Sequence, residues 1–224
     1  MIGMEELIMP DFDVAIFDLD GTLLDTSEGI RESVKYTIKE YGFPMLDDSI
    51  IDSFIGPPIQ NSFARVYGLE GPVLQDIATT FRNRYKEEDL LKAVPYEGIY
   101  EVFDRLREKG IQPAVATYKR QDYAEMILRH FGFDKYTGIM YGADHENKLK
   151  KKDIIEKVLR DCGVRDYTRA AMIGDSDNDA IGAADIGIKF IGVTYGFGFK
   201  TSADVLRYPA IGYAETTRKI LNYL

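Results

Sequence analysis

Val14-Ala15-Ile16-Phe17-Asp18-Leu19-Asp20-Gly21-Thr22 is the stretch on which the fold turns. Its first four residues form a brief apolar run with no polar alternation, the pattern of a strand buried on both faces. The run ends in two carboxylates at i and i+2, which leave a strand on the same side. Gly21 follows, and a glycine there lets the backbone approach a ligand closely. Acids this near to one another repel, and one is pushed toward protonation unless a cation sits beside them. A divalent metal removes that cost and also binds a phosphoryl oxygen. One carboxylate can then attack phosphorus while the other moves a proton. Taken alone, the segment also fits a surface turn rich in Asp and Gly.

Further along the chain, Ala114-Val115-Ala116, Ile139-Met140-Tyr141, Ala170-Ala171-Met172-Ile173 and Ile188 to Val193 have the same strand character. Amphipathic helices separate them. Ile99, Val102, Phe103 and Leu106 share one face, as do Ala124, Ile127, Leu128 and Phe131, and so do Ile154, Ile155, Val158, Leu159 and Cys162. Gly110, Gly132 and Gly163 stand where such helices stop. Strands alternating with helices predict a doubly wound, Rossmann-like α/β parallel sheet with its site at the carboxyl ends of the strands. The stretch from about Thr26 to Pro95 is different. It reads as helices (Ile30, Val34, Ile38 and Tyr41 form one stripe, and Asn61 to Tyr67 and Leu74 to Leu91 also look helical) interrupted by a rigid Phe54-Ile55-Gly56-Pro57-Pro58-Ile59 break, with no convincing strand of its own. This predicts a helical lid, residues 26–96, inserted into a core made of residues 1–25 and 97–224.

A second acidic cluster, Gly174-Asp175-Ser176-Asp177-Asn178-Asp179, follows the Ala170–Ile173 run. Several acids at a strand end suit a hard cation. A calcium loop does not fit, because its required sixth-position glycine is Ala180 and its twelfth-position glutamate is Ile186. Between the clusters, Thr117 ends a strand and offers a hydroxyl to an anion, with Lys119 nearby. Lys148-Leu149-Lys150-Lys151-Lys152 precedes a helix, where lysines oppose the helix dipole and a bound anion offsets the cost. A lysine run is otherwise usually a solvated face. His145 has no zinc-ligand partners in the sequence, and His130 reads as a helix-end cation.

Composition narrows the classes. The formal charge of −9, from 28 basic and 37 acidic residues, argues against nonspecific nucleic-acid binding. The single cysteine, Cys162, precludes an intrachain disulfide and reads as a small core residue. No run is long enough to span a membrane, and Met1 to Pro10 lacks a basic segment followed by an apolar one, so a cytoplasmic location is expected. The sequence does not set the oligomeric state.

Together these pieces resemble the four ordered motifs of the haloacid dehalogenase superfamily over nearly the whole chain. The likeness is nearest to its phosphoglycolate-phosphatase-like branch with a helical cap. Phe54-Ile55-Gly56-Pro57-Pro58 looks like that branch's cap-loop signature, and Gly192-Val193-Thr194-Tyr195-Gly196-Phe197-Gly198 resembles the segment after its last motif. The resemblance implies a Mg²⁺-dependent phosphatase acting on a small phosphorylated metabolite. In it Asp18 is the nucleophile, forming an aspartyl-phosphate, and Asp20 is the acid and base. Asp18, Asp175 and the backbone carbonyl of Asp20 ligate the metal. Thr117 holds a phosphoryl oxygen, and Asp179 orients the lysine or a metal-bound water. The third-motif lysine is assigned to Lys151, which stands before Lys152-Asp153-Ile154-Ile155 as in some relatives; Lys148 and Lys150 remain candidates. Gly21, Tyr118, Gly56 and Pro57 are the expected substrate contacts. Tyr118 departs from relatives, which carry a small or amide side chain there.

A dehalogenase is disfavoured because it has no need of Asp20. A sugar-phosphate mutase shares Asp18, Asp20, metal and cap, but resembles the chain less well around Gly174-Asp175. A non-catalytic member of the fold would be expected to have lost Asp18, Asp20 or Asp175, and all are present. Phosphoglycolate, a nucleoside monophosphate, a sugar phosphate and pyrophosphate all fit these motifs.

Overall fold

Strand β1, Val14–Phe17, lies at the middle of the molecule, and its position accounts for its composition. Ala15 and Phe17 enter one hydrophobic cluster while Val14 and Ile16 enter another on the opposite face, so every side chain is buried. The computed structural model describes residues 11–145 and 148–224; the reading of Met1 to Pro10 concerns residues outside these.

Five further strands complete the sheet: β4 (Gln112–Arg120), β5 (Met140–Ala143), β6 (Ala170–Gly174), β7 (Lys189–Val193) and β8 (Gly212–Ala214). The order is β5-β4-β1-β6-β7-β8, and every neighbouring pair is parallel. The chain leaves β1 toward β4 on one side and later returns to β6 on the other. That reversal opens a crevice above the carboxyl end of β1, where ligands bind in such sheets. Helices α5 (Ile99–Glu108) and α6 (Gln121–His130) cover the Phe17 face; α7 (Lys151–Asp161) and α8 (Asp177–Ile186) cover the Ile16 face. A short helix α9, Ser202–Val205, precedes β8.

The segment between β1 and α5 carries α1 (Ser27–Glu40), α2 (Asp48–Asp52), α3 (Ile59–Tyr67) and α4 (Val73–Arg84). Val34, Ile38, Ile51, Phe54, Phe63 and Ile77 gather there into a hydrophobic cluster separate from the two that flank the sheet. Two details differ from the sequence reading. The two ends of this segment pair as a minimal antiparallel ribbon, β2 (Leu24–Asp25) with β3 (Val94–Pro95). Two residues per strand carry no readable periodicity. The long helix expected over Leu74–Leu91 is instead α4 followed by a π-helical turn, Tyr85–Asp89. The wider turn coincides with an inward-facing Asp89, whose buried carboxylate bonds Ser33, Arg84 and Lys92 at 2.8–2.9 Å.

Strand β4 also runs past its expected end at Thr117 to Arg120, by way of an irregularity. Ala116 pairs with Tyr141, yet Arg120 pairs with Ala143, so β4 holds two more residues than its partner over this interval. Such a bulge re-aims side chains, and Thr117, Tyr118 and Lys119 all lie within it.

Candidate active site

The strand ends converge on Asp18, which follows β1 directly, donates its N–H to the Ile173 carbonyl and is buried. Lys151, the first residue of α7, reaches in from the other face. Its ammonium lies 2.8 Å from Asp18 Oδ1 and 2.6 Å from Asp179 Oδ1. Of the lysines around this helix start, Lys151 is buried, while Lys148 and Lys150 are exposed. Its passage depends on Gly182 of α8: a Cβ there would lie 2.9–3.0 Å from the Lys151 stem. The expected conflict between a lysine run and the helix dipole is eased by Asp153, whose carboxylate accepts the Lys150 N–H at 2.7 Å.

Asp175 sits just beyond β6, and Gly196, Phe197 and Gly198 wrap its carboxylate. Phe197 and Gly198 donate backbone N–H groups to Oδ2 at 2.6 and 2.9 Å. That Gly-rich turn thus serves a carboxylate with its amides. Gly21, at φ +78°, backs onto the same group, with Asp175 Oδ2 only 2.2 Å from where a Cβ would stand. Asp179 Oδ2 accepts from the N–H and hydroxyl of Ser176, which leaves Oδ1 for Lys151.

One carboxylate oxygen each from Asp18, Asp175 and Asp179 lie within 4.8 Å of one another, all three residues buried. A single ammonium does not neutralise three carboxylates. Burial, aided by Asp179 and Asp175, pushes the Asp18 carboxyl up to about 7 against the pull of Lys151. Burial and Asp179 push Asp175 up to about 6, against the amides of Gly198 and Phe197. Burial alone would lower the Lys151 ammonium, but Asp179 and Asp18 raise it above its ordinary value. Hard, anionic oxygen donors with surplus negative charge fit a small divalent cation such as Mg²⁺.

The side chain of Asp20 turns elsewhere. Lys119 Nζ donates to its two oxygens at 2.9 and 3.2 Å, and Thr26 Oγ1 donates to Oδ1 at 2.6 Å. Thr117, buried in the bulge of β4, accepts the Lys119 N–H at Oγ1 at 3.1 Å, which leaves its hydroxyl hydrogen free to donate. Tyr118 keeps its ring 42% exposed, while its hydroxyl accepts the N–H of Lys151 at 2.8 Å. Gly56 and Pro57 are exposed on the loop between α2 and α3, and a Cβ on Gly56 would meet nothing within 4 Å. No hydrogen bond or ion pair among the described residues joins them to the acidic cluster.

Sequence reasoning gave Lys119 no partner, and it did not single out Gly182. A lysine two residues after a strand-end threonine was the available signal for the first. The second becomes visible only when two helices from distant parts of the chain pack together.

Parallel strands, a switch-point crevice and paired acidic clusters across it define a haloacid dehalogenase-type hydrolase, and the chain belongs to that family. The family model described as haloacid dehalogenase-like hydrolase matches residues 15–193. The chain is 35% identical over 193 residues to a 5'-nucleotidase of Pseudomonas aeruginosa, covering 86% of each protein. It is 31% identical over 203 residues to the tyrosine-protein kinase PtkA of Mycobacterium tuberculosis, covering 88% of this chain and 69% of that one. Among solved structures, a haloacid dehalogenase-like family hydrolase from Streptococcus pneumoniae superposes with a TM-score of 0.86 at 30% identity, covering 95% and 98% of the two chains.

Proposed function

We propose that this protein is a Mg²⁺-dependent phosphatase that hydrolyses a small phosphate monoester through a phosphorylated Asp18. The observation that carries the reading is the buried arrangement at Asp18: one carboxylate held 2.8 Å from a buried lysine, beside Asp175 and Asp179. Phosphoryl transfer asks chiefly for in-line positioning and for positive groups around the equatorial oxygens.

An Asp18 oxygen attacks phosphorus, and the bond to the leaving oxygen breaks as Asp20 gives that oxygen its proton. Water then attacks the phosphorus of the aspartyl-phosphate, Asp20 takes the water proton, and phosphate leaves with Asp18 restored. Lys151 offsets charge between nucleophile and phosphoryl group, Thr117 donates its hydroxyl to a phosphoryl oxygen, and Asp179 holds the lysine in place. Mg²⁺, held by Asp18, Asp175 and the backbone carbonyl of Asp20, would supply further charge neutralisation on the transferring group. Residues 26–96 act as the cap over the core of residues 1–25 and 97–224. The exposed Gly56-Pro57 loop and the open ring of Tyr118 meet the substrate when the cap closes. The 5'-nucleotidase relative supports a nucleoside monophosphate as one candidate beside phosphoglycolate, a sugar phosphate and pyrophosphate. The kinase relative's name describes transfer to an acceptor other than water, so phosphate release is the decisive readout.

The test is steady-state phosphate release from a panel of these compounds with Mg²⁺ or EDTA. Release that needs metal and is lost in Asp18→Asn is expected. A folded, metal-supplied protein that releases none would contradict the proposal, as would turnover only with an added bisphosphate.

A further inference from the structure

The proposed reaction gives Lys119 no task, yet this side chain is among the most constrained in the site. It is 7% exposed, and a buried ammonium is costly unless well paired. Its pairing is with both oxygens of Asp20, at 2.9 and 3.2 Å. Its backbone N–H is tied to Thr117 Oγ1, and its carbonyl lies so near Gly142 that a Cβ there would stand 2.4 Å away. On its far side the ammonium lies 5.0 Å from the centre of the Tyr85 ring, in the π-helical turn. The lysine is thus held at both ends while it grips the more exposed Asp20 carboxylate, which is 24% exposed. Thr26 Oγ1 supplies the third donor to that carboxylate, at 2.6 Å.

A carboxyl at a strand end turns about two single bonds, and an acid must point at the leaving oxygen to be useful. A misplacement of about 1 Å costs on the order of 100-fold in rate. We propose that Lys119, assisted by Thr26, is the positioning residue that fixes the orientation of Asp20 for proton transfer to the leaving group. The proposal rests on the reading of Asp20 as the acid and base, and goes beyond it by assigning what aims that group. Lys119 touches neither substrate nor metal in this role and acts through Asp20.

The prediction is a dependence on the leaving group, which a purely structural lysine would not produce. The full chain with Mg²⁺ is assayed on phosphate esters graded from 2,4-dinitrophenyl phosphate, whose leaving group needs no proton, to a simple alkyl phosphate. Because Asp20 also serves the later water step common to all esters, the readout is kcat/KM, which reports only the transfer to Asp18. Lys119→Met is expected to lower it about 100-fold on the alkyl ester but less than about fivefold on the dinitrophenyl ester. Thr26→Val is expected to show the same ordering with smaller losses. Asp20→Ala is the reference: without a steep gradient in that variant, the acid–base reading of Asp20 fails and this proposal with it. A gradient in Asp20→Ala together with equal losses on all esters in Lys119→Met, or none, overturns the positioning role alone. Should Lys119→Met not fold, Thr26→Val decides, and a uniform effect there overturns the proposal.

Discussion

Asp18 and Lys151 meet at 2.8 Å because two elements distant in sequence each deliver one short reach: β1 ends at the carboxylate and α7 begins at the lysine. Tyr118 secures the second of these. The first N–H groups of a helix have no partner within it, and the Tyr118 hydroxyl takes the one at Lys151 at 2.8 Å. Tyr118→Phe removes that acceptor and keeps the ring, so a stability loss of about 1 kcal/mol is expected. Because the helix start carries Lys151, kcat is expected to fall severalfold with KM nearly unchanged; a rise in KM alone would make the hydroxyl a substrate contact instead. Among Lys148, Lys150 and Lys151, the resemblance favours Lys151, and only the fold shows that it is the one of the three buried beside Asp18 and Asp179. Asp18, Asp20 and Asp175 were legible because acids placed directly after buried apolar strands are costly there unless a cation or a reaction makes use of them. The lysine partner of Asp20 was not, because it lies 99 positions away.

At the scale of elements, the four-residue β1 was readable since both its faces are buried and it admits no polar residue. β8 carries no readable pattern: Gly212-Tyr213-Ala214 is three residues long and only partly buried at its centre. The bulge in β4 and the π-helical turn after α4 were equally hidden, since each is set by tertiary contacts rather than by local propensity. The π-helical turn is pinned by Asp89, whose carboxyl is held below its ordinary value: burial would raise it, but bonds from Arg84, Lys92 and Ser33 outweigh that. Deleting one partner of a buried ion pair costs about 3–5 kcal/mol when the other charge stays buried. Arg84 and Lys92 are themselves 30% and 39% exposed and can turn to water. Asp89→Ala is therefore expected to cost less, about 2 kcal/mol, seen as a lower denaturation midpoint. An unchanged midpoint would show that the network does not hold α1 to the turn.

For the molecule as a whole, the acidic cluster ties stability to both pH and metal. Asp18 and Asp175 are pushed up to about 7 and about 6 from an ordinary 3.8. Between about pH 4 and 7 the native state therefore holds protons that the unfolded chain has released, and stability falls as pH rises across that window. Asp89 acts in the opposite sense and at lower pH, where its stabilisation is lost on acidification. In EDTA, the melting temperature attributable to the cluster is expected to fall from pH 5 to pH 7. Added Mg²⁺, as the proposed ligand of the ionised carboxylates, is expected to raise it more at pH 7 than at pH 5. A Mg²⁺ shift that shrinks with rising pH would contradict this role of the cluster.

Whether Asp18 carries the phosphoryl group is decided by acid-quenching the enzyme during turnover and mapping the phosphorylated peptide by mass spectrometry. One phosphoryl mass on the peptide containing Asp18, labile to hydroxylamine and missing from Asp18→Asn, is the expected result. Steady phosphate release from the wild-type protein with no such adduct, or with Asp18→Asn fully active, would contradict it.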